Sequence, residues 1–174
     1  PMTNVFTSAF SDFFCNFGGG GSTLGLVLMM TFIAKSKRLK TLGRMALPAG
    51  IFGINEPIIF GFPMVLNVIM VIPFILAPVM NTIIGQLATA VGFIPVTSGV
   101  QLSWTTPIFI SGYLTTGSIN AVILQLFMLL ADMALYYPFF KMQDSKYLEE
   151  EEKLAKEEKK DEIDELSFDD LKLD

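Results

Sequence analysis

Residues 65–84 read VLNVIMVIPFILAPVMNTII, twenty positions without a charged side chain. At a rise of 1.5 Å per residue, a helix of that length covers ~30 Å, which is the thickness of the hydrocarbon core of a bilayer. A second stretch, Ile119–Phe140, is of similar length and contains Asp132 as its only charge. The sequence therefore predicts two spanning helices in an all-α membrane protein.

The composition also indicates that a bilayer surrounds most of the chain. Of the 174 residues, 52% are hydrophobic and 17% are charged. Residues 141–174 contain 14 of the 17 acidic residues, so the net charge of -5 describes mainly this tail. Before this tail, the basic residues form one short cluster without interleaved aromatic side chains, which predicts no binding of nucleic acid.

Charge and hydropathy divide the chain into three segments. Residues 1–45 are predicted to hold a transmembrane helix and a basic cytoplasmic loop, because Leu24–Ala34 is apolar, Val5–Phe17 extends it, and five basic residues follow at positions 35–44. Residues 46–140 are predicted to be a membrane region that binds substrate. Residues 141–174 are predicted to be an acidic cytoplasmic tail that is partly disordered. The start at Pro1, before any Met, indicates a piece of a longer protein.

The membrane region is interrupted by prolines, at positions 48, 57, 63, 73, 78, 95 and 107. Proline removes a backbone donor, and unpaired backbone groups persist inside a membrane only where protein or a water-filled cavity surrounds them. The short broken stretches at Ala46–Phe62 and at about residues 94–113 therefore predict two re-entrant hairpins. With the helices after them, they are expected to enter from opposite faces and form a substrate site.

Glu56 is the only charge between Arg44 and Asp132, within FGINEPIIFG at residues 52–61. A charge at that depth costs about 2.5–3.5 kcal/mol on insertion scales, and it is normally found in a cavity. Glu56 can act as a general base towards a ligand hydroxyl, and Asn55 can both donate and accept hydrogen bonds. The alternative is a protonated carboxyl with a structural role. Asp132 receives no assigned role.

Two further features are candidates for ligand contact. Trp104, in QLSWTTP at residues 101–107, has the flat apolar surface and polar neighbours that suit a sugar ring, although Trp also anchors helices at membrane interfaces. The run GGGGST at residues 18–23 lacks the Lys of a phosphate-binding loop. Its expected role is close packing, with backbone contacts from Gly19 and Gly20 to a ligand as the alternative.

The chain contains no His, so a zinc site of the usual type or a Ser/His/Asp triad cannot be built from it, and neither a metal nor a cofactor is predicted. Cys15 lies in an apolar stretch and is expected to be a small buried residue.

Several blocks together resemble the enzyme IIC component, the membrane permease, of the bacterial phosphotransferase system. They are GINEPIIFG at residues 53–61 with Pro63 and Asn67, residues 18–26, KSKRLK at residues 35–40, WTTP at residues 104–107, and YYPFF at residues 136–140. They fit its lactose, cellobiose and diacetylchitobiose branch. The resemblance covers residues 4–146, the C-terminal portion of such a permease, without the N-terminal helices and the upstream histidine of the family.

The resemblance implies uptake of a disaccharide coupled to its phosphorylation at the bacterial cell membrane. Asn55 and Glu56 would bind sugar hydroxyls, Glu56 near the 6-hydroxyl, and Trp104 would pack on the sugar. Phosphate would come from a cysteine of an enzyme IIB partner, to which Cys15 does not correspond, and the full-length protein would form a homodimer. A proton-coupled or passive carrier and a non-functional permease fragment are the alternatives.

Overall fold

The computed structural model describes residues 7–62, 64–97 and 102–170, apart from the side chains of residue 65 and of residues 162–170. Within these residues every regular element is a helix. The α-helices are α1 (Ser8–Phe10), which continues as a π-helical turn over Ser11–Cys15, α2 (Leu24–Phe32), α3 (Lys37–Ile51), α4 (Glu56–Gly61), α5 (Val68–Ala90), α6 (Ile110–Thr116) and α7 (Ile119–Asp170). A 3₁₀ turn over Met64–Leu66 precedes α5.

The apolar stretch before residue 35 is not one continuous spanning helix, which differs from the expectation for the first segment. The glycines end the π-helical turn, since Gly18, Gly19 and Gly21 adopt positive φ angles. Helix α2 then has nine residues, or ~13 Å, which is too short to cross a bilayer. It packs against α3 and α7, and seven of its residues are buried.

The basic cluster lies mostly in the first turns of α3 rather than in a loop. Ser36 caps this helix, because its Oγ accepts a hydrogen bond from the N–H of Leu39. Pro48 lies inside α3, and the helix continues to Ile51. A turn over residues 52–55 then leads into α4, with Pro57 in its first turn. The stretch Ala46–Phe62 thus consists of the end of one helix, a turn and a short helix.

Helix α5 and α7, the latter within Ile119–Asp161, each contain an apolar stretch long enough to cross a bilayer, judged by length and composition. Both were predicted, although α5 continues beyond Ile84 to Ala90 and through Pro73 and Pro78. Helix α7 also continues past Phe140 without a break, because charged pairs spaced four residues apart, such as Glu149 with Lys153, favour a helix in the tail. The last four residues lie outside the described part.

Two groups of buried apolar side chains hold the helices together. One joins α2 and α3 to the middle of α7 and includes Met30, Leu39 and Tyr136. The other joins residues 10–17 to α5 and the first half of α7 and includes Phe14 and Met128. At ~25 cal/mol per Å² of apolar surface, such burial is the main stabilising contribution to packing. The glycine run at residues 18–21 lies between the two groups along the chain.

Candidate functional site

A cavity of about 340 Å³ gathers all of the candidate ligand-binding residues. It is lined by residues from three separate segments, namely Asp12, Asn16, Gly19, Gly20, Gly53, Asn55, Glu56 and Trp104. Cavities of roughly 300–1,000 Å³ with a few convergent polar groups are typical sites for small molecules. Asp12, Asn16 and Gly53 were not predicted. Asp12 and Asn16 could have been recognised as a charge and an amide in the apolar stretch before the glycines.

Asn55 connects the turn after α3 to the glycine loop, which we define as Gly18–Thr23. Its side-chain N–H₂ donates a hydrogen bond to the carbonyl oxygen of Gly20 at 2.7 Å, and the residue is 8% exposed. A Cβ atom on Gly19 would lie 2.6 Å from Cγ of Asn55, so only glycine permits this approach. The N–H of Gly19 donates to the carbonyl of Asn16 within the loop. The packing expected of the glycine run therefore occurs at Gly19.

Gly20 differs from its neighbours because a Cβ atom placed there would meet no atom within 4 Å. Its backbone faces the open cavity, and its φ angle is not among the positive ones. Gly20 is thus the residue of the loop where a ligand can approach the backbone.

The turn before α4 places Glu56 at the cavity wall. Gly53 has a φ angle of 79°, and the N–H groups of residues 52–54 bond to carbonyls of the last turn of α3. A Cβ on Gly53 would lie 3.1 Å from the carbonyl oxygen of Trp104, which brings the two predicted regions together. Glu56 is exposed, so its carboxylate is available to a ligand.

Trp104 is 59% exposed and lines the same cavity. Its polar neighbours bond to each other, because the hydroxyls of Ser103 and Thr105 are 2.8 Å apart and Thr106 donates to the carbonyl of Ser103 at 2.6 Å. They stabilise the turn that carries Trp104 rather than line this cavity. Gln101 and Pro63, which were part of the sequence motifs, lie outside the described residues.

Below the glycine loop lies a buried polar cluster that sequence reasoning missed. Asp132 is fully buried, and its carboxylate accepts a hydrogen bond from the hydroxyl of Ser22 at 2.5 Å and two from the amide of Asn81 at 2.9 and 3.1 Å. One turn further along α7, the hydroxyl of Tyr136 donates to the carbonyl of Gly21 at 2.6 Å. The isolated charge of Asp132 in an apolar segment was the signal for this cluster.

The start of α3 is held by two carboxylates from α7. Asp144 accepts hydrogen bonds from the N–H groups of Lys35 and Ser36 at 2.9–3.0 Å. Glu151 accepts from the hydroxyl of Ser36 and from the N–H groups of Lys37 and Arg38. Desolvation, the largest contribution, raises the pKa of Glu151, but these hydrogen bonds and the charge of Lys37 lower that pKa overall.

A larger depression of about 410 Å³ lies elsewhere, lined by Leu66, Asn67, Val68, Ile69, Gln143, Lys146 and Tyr147. It contains none of the predicted ligand-binding residues and has two highly exposed apolar side chains, Leu66 and Val68. The smaller cavity is the better candidate, because carboxylates, amides and an indole ring converge on it. Cys15 lies in neither lining, is buried as expected, and its sulfur accepts a hydrogen bond from Thr82.

Comparison with known proteins agrees with the resemblance found in the sequence. The pattern of the family described as "Phosphotransferase system, EIIC" matches residues 1–78. The cellobiose-specific EIIC component of Geobacillus stearothermophilus is 48% identical over 152 residues, 87% of this chain and 34% of that protein. The chain is related to the EIIC permeases.

Two other relatives extend the comparison. The lactose-specific EIICB component of Staphylococcus aureus (strain N315) is 42% identical over 149 residues, 85% of this chain and 26% of that protein. The crystal structure of the transporter ChbC, the IIC component from the N,N'-diacetylchitobiose-specific phosphotransferase system, superposes with a TM-score of 0.84 at 43% identity.

That structural match covers 86% of this chain and 35% of ChbC. It confirms that the helical arrangement is one found in an EIIC permease. The chain spans about a third of the length of the first curated relatives that it matches.

Proposed function

We propose that this chain forms the sugar-binding part of a phosphotransferase-system permease. That permease takes up a disaccharide of the cellobiose, lactose or diacetylchitobiose type and couples the uptake to phosphorylation by a partner phosphocarrier. The observation that supports this most directly is the convergence of Asn55, Glu56 and Trp104 on one cavity, although Trp104 is far from the other two in sequence. The names of the related permeases provide the sugar class.

Each residue of the cavity has a chemical task in this proposal. Glu56 accepts the proton or hydrogen bond of the hydroxyl that is phosphorylated, which makes this oxygen a better nucleophile. Trp104 packs its exposed ring on the apolar face of the sugar. One N–H of the Asn55 amide donates to Gly20, which leaves the second N–H to donate to a sugar hydroxyl and the side-chain oxygen to accept from one. The backbone of Gly20 completes the contact surface.

The phosphate donor is a cysteine of an enzyme IIB partner rather than a residue of this chain. Cys15 is 5% exposed and lies outside the cavity lining, which does not suit a group that must accept and pass on phosphate. The name EIICB of the lactose-specific relative is consistent with joint action of the two components. The reaction needs neither a metal nor a cofactor in this proposal.

In the membrane, we place the start of α3 and the tail of α7 on the cytoplasmic side, because both carry basic residues next to apolar segments. The regions around residues 46–62 and 94–113 then enter as re-entrant hairpins from opposite faces, with the cavity between their tips. The exposed apolar side chains of α5 and α7, such as Ile75 and Phe127, face lipid or other parts of the permease. The full-length protein is a homodimer in this arrangement.

The test is the Glu56→Gln variant of the native gene product, assayed for disaccharide uptake and for formation of sugar phosphate with its IIB partner. We expect phosphorylation to fall by about 100-fold or more, which is the usual effect of removing a general base. Glu150→Gln, which removes the same charge from an exposed site on the tail, is the control. Wild-type binding and phosphorylation in Glu56→Gln would refute the proposal. Accumulation of unmodified sugar that depends on pH would instead indicate a proton-coupled carrier.

A further inference from the structure

Asp132 is a buried charge that takes no part in the proposed sugar contacts. It lies in the apolar half of α7, and no basic side chain of the described residues forms a salt bridge with it. Instead, its carboxylate is bonded to Ser22 of the glycine loop and to Asn81 of α5. Burial of a carboxyl group without a neighbouring cation costs free energy of folding. The hydrogen-bond partners of Asp132 therefore indicate which part of the fold it stabilises.

The glycine loop holds one non-glycine residue in the left-handed region of backbone conformation. Gly18, Gly19, Gly21 and Ser22 all have positive φ angles, and Ser22 reaches 53° although it is not a glycine. Three backbone hydrogen bonds close the loop, namely from Gly19 to Asn16, from Ser22 to Gly19 and from Leu24 to Phe17. Non-glycine residues persist in this region only when their surroundings fix them.

Two side chains of helix α7 are among the groups that fix the loop. The hydroxyl of Ser22 donates to Asp132 and accepts from the amide of Asn81 at 3.1 Å and from the N–H of Phe17 at 3.3 Å. The hydroxyl of Tyr136, which is also fully buried, donates to the carbonyl of Gly21. The bonds from Asp132 and Tyr136 thus hold two adjacent residues of the loop, Ser22 and Gly21. Gly19 and Gly20 of the same loop line the cavity.

We propose that Asp132 and Tyr136 are positioning residues of the sugar site, which hold the glycine loop in the left-handed conformation that shapes the cavity wall. They act through Ser22 and Gly21 without touching the sugar. The inference rests on the proposed function of the cavity. It predicts a loss of sugar affinity in protein that is still folded, because a displaced Gly20 removes the backbone contact and alters the approach of Asn55.

The experiment uses the native gene product, purified in detergent, with radiolabelled cellobiose as the probe. Tyr136→Phe removes one buried hydroxyl and leaves the ring, so we expect folded protein with a dissociation constant raised about 3- to 10-fold, the equivalent of one hydrogen bond. Asp132→Ala should weaken binding more than Asp132→Asn, because the amide oxygen of Asn can still accept from Ser22. This partial rescue separates positioning from a need for negative charge.

Thr31→Val is the matched control, since it also removes a buried hydroxyl that donates to a backbone carbonyl, here that of Val27 at 2.8 Å. It lies outside the loop and the cavity and should leave the dissociation constant unchanged. A purely structural role would lower the melting temperature of Tyr136→Phe and Asp132→Asn without changing the dissociation constant, and that result would overturn the inference.

A readout that needs no sugar separates this inference from the proposed function. A cysteine introduced as Gly20→Cys stands in open space and can be labelled with a maleimide. Adding Tyr136→Phe should change its labelling rate, and adding Thr31→Val should not. If the wild-type protein bound no cellobiose, a changed rate would still support the positioning role, and an unchanged rate would refute it.

Discussion

Replacement of Asp144 gives the sharpest test of how α7 holds the start of α3. Asp144 is 7% exposed, and its two carboxylate oxygens accept from the N–H groups of Lys35 and Ser36, which precede the first turn of the helix. Without the carboxylate, the buried N–H of Ser36 and the partly buried N–H of Lys35 lose their partner. The unfolding free energy should therefore fall.

The size of the effect follows from the number and kind of bonds. A hydrogen bond to a charged group contributes ~1.5–3 kcal/mol, and loss of a helix cap costs ~0.5–2 kcal/mol. Asp144→Ala leaves both N–H groups unpaired, so we expect a loss of about 3 kcal/mol. Asp144→Asn keeps one acceptor oxygen but brings a donor N–H₂ group towards a second donor, so a loss of about 2 kcal/mol is expected.

The assay is reversible unfolding of the purified protein in mixed detergent micelles, followed by circular dichroism. Glu150→Gln is the control, because it removes a carboxylate from an exposed position on the same helix and should change stability by less than ~0.5 kcal/mol. If Asp144→Ala were no less stable than Glu150→Gln, the hydrogen bonds to Lys35 and Ser36 would not hold α3 in place.

Two further predictions concern the same helix and the cavity. Glu151 has a pKa lowered from its ordinary value of 4.5, so its contribution to stability is present above that pH and is lost as the pH falls through the lowered value. The stability difference between wild type and Glu151→Gln should therefore vanish in acid. A difference that persists in acid would contradict this prediction. Gly20→Ala adds a methyl group to the open cavity and should weaken sugar affinity roughly tenfold with unchanged melting temperature. Gly50→Ala, whose Cβ would meet Leu24 and Val27 at ordinary contact distances, should leave affinity unchanged.

The sequence predicted the elements whose signal is local. Helix α5 and the apolar part of α7 follow from uninterrupted apolar length; both begin within a few residues of the expected start, but both continue beyond the expected end. The segment before residue 35 was wrongly expected to form one spanning helix, because the glycines were expected to pack a helix closely against its neighbour. Positive φ angles at Gly18, Gly19 and Gly21 make them a loop instead, which hydropathy cannot reveal.

Of the candidate site, the sequence could predict only the residues that stand out as isolated polar or aromatic groups. Glu56, Asn55 and Trp104 were chosen as separate anomalies, and their convergence depends on Gly53, whose backbone lies close to the carbonyl of Trp104. Asp12 carried the same kind of signal but stands in the apolar stretch that was considered part of a spanning helix. Its place in the cavity becomes apparent once the π-helical turn over Ser11–Cys15 is seen.

Helix α7 connects the two ends of this arrangement. In its apolar first half, Asp132 and Tyr136 bond to the glycine loop, and ~12 Å beyond Tyr136 on the same helix Asp144 begins the contact with the start of α3. Helix α3 then leads directly to the turn that carries Asn55 and Glu56. Two of the three segments that line the cavity are therefore connected to one helix, by buried polar bonds whose partners are more than a hundred residues apart in sequence. Since hydrogen bonds require a definite direction whereas apolar contacts do not, these bonds support the geometry in which Asn55 donates directly to the carbonyl of Gly20.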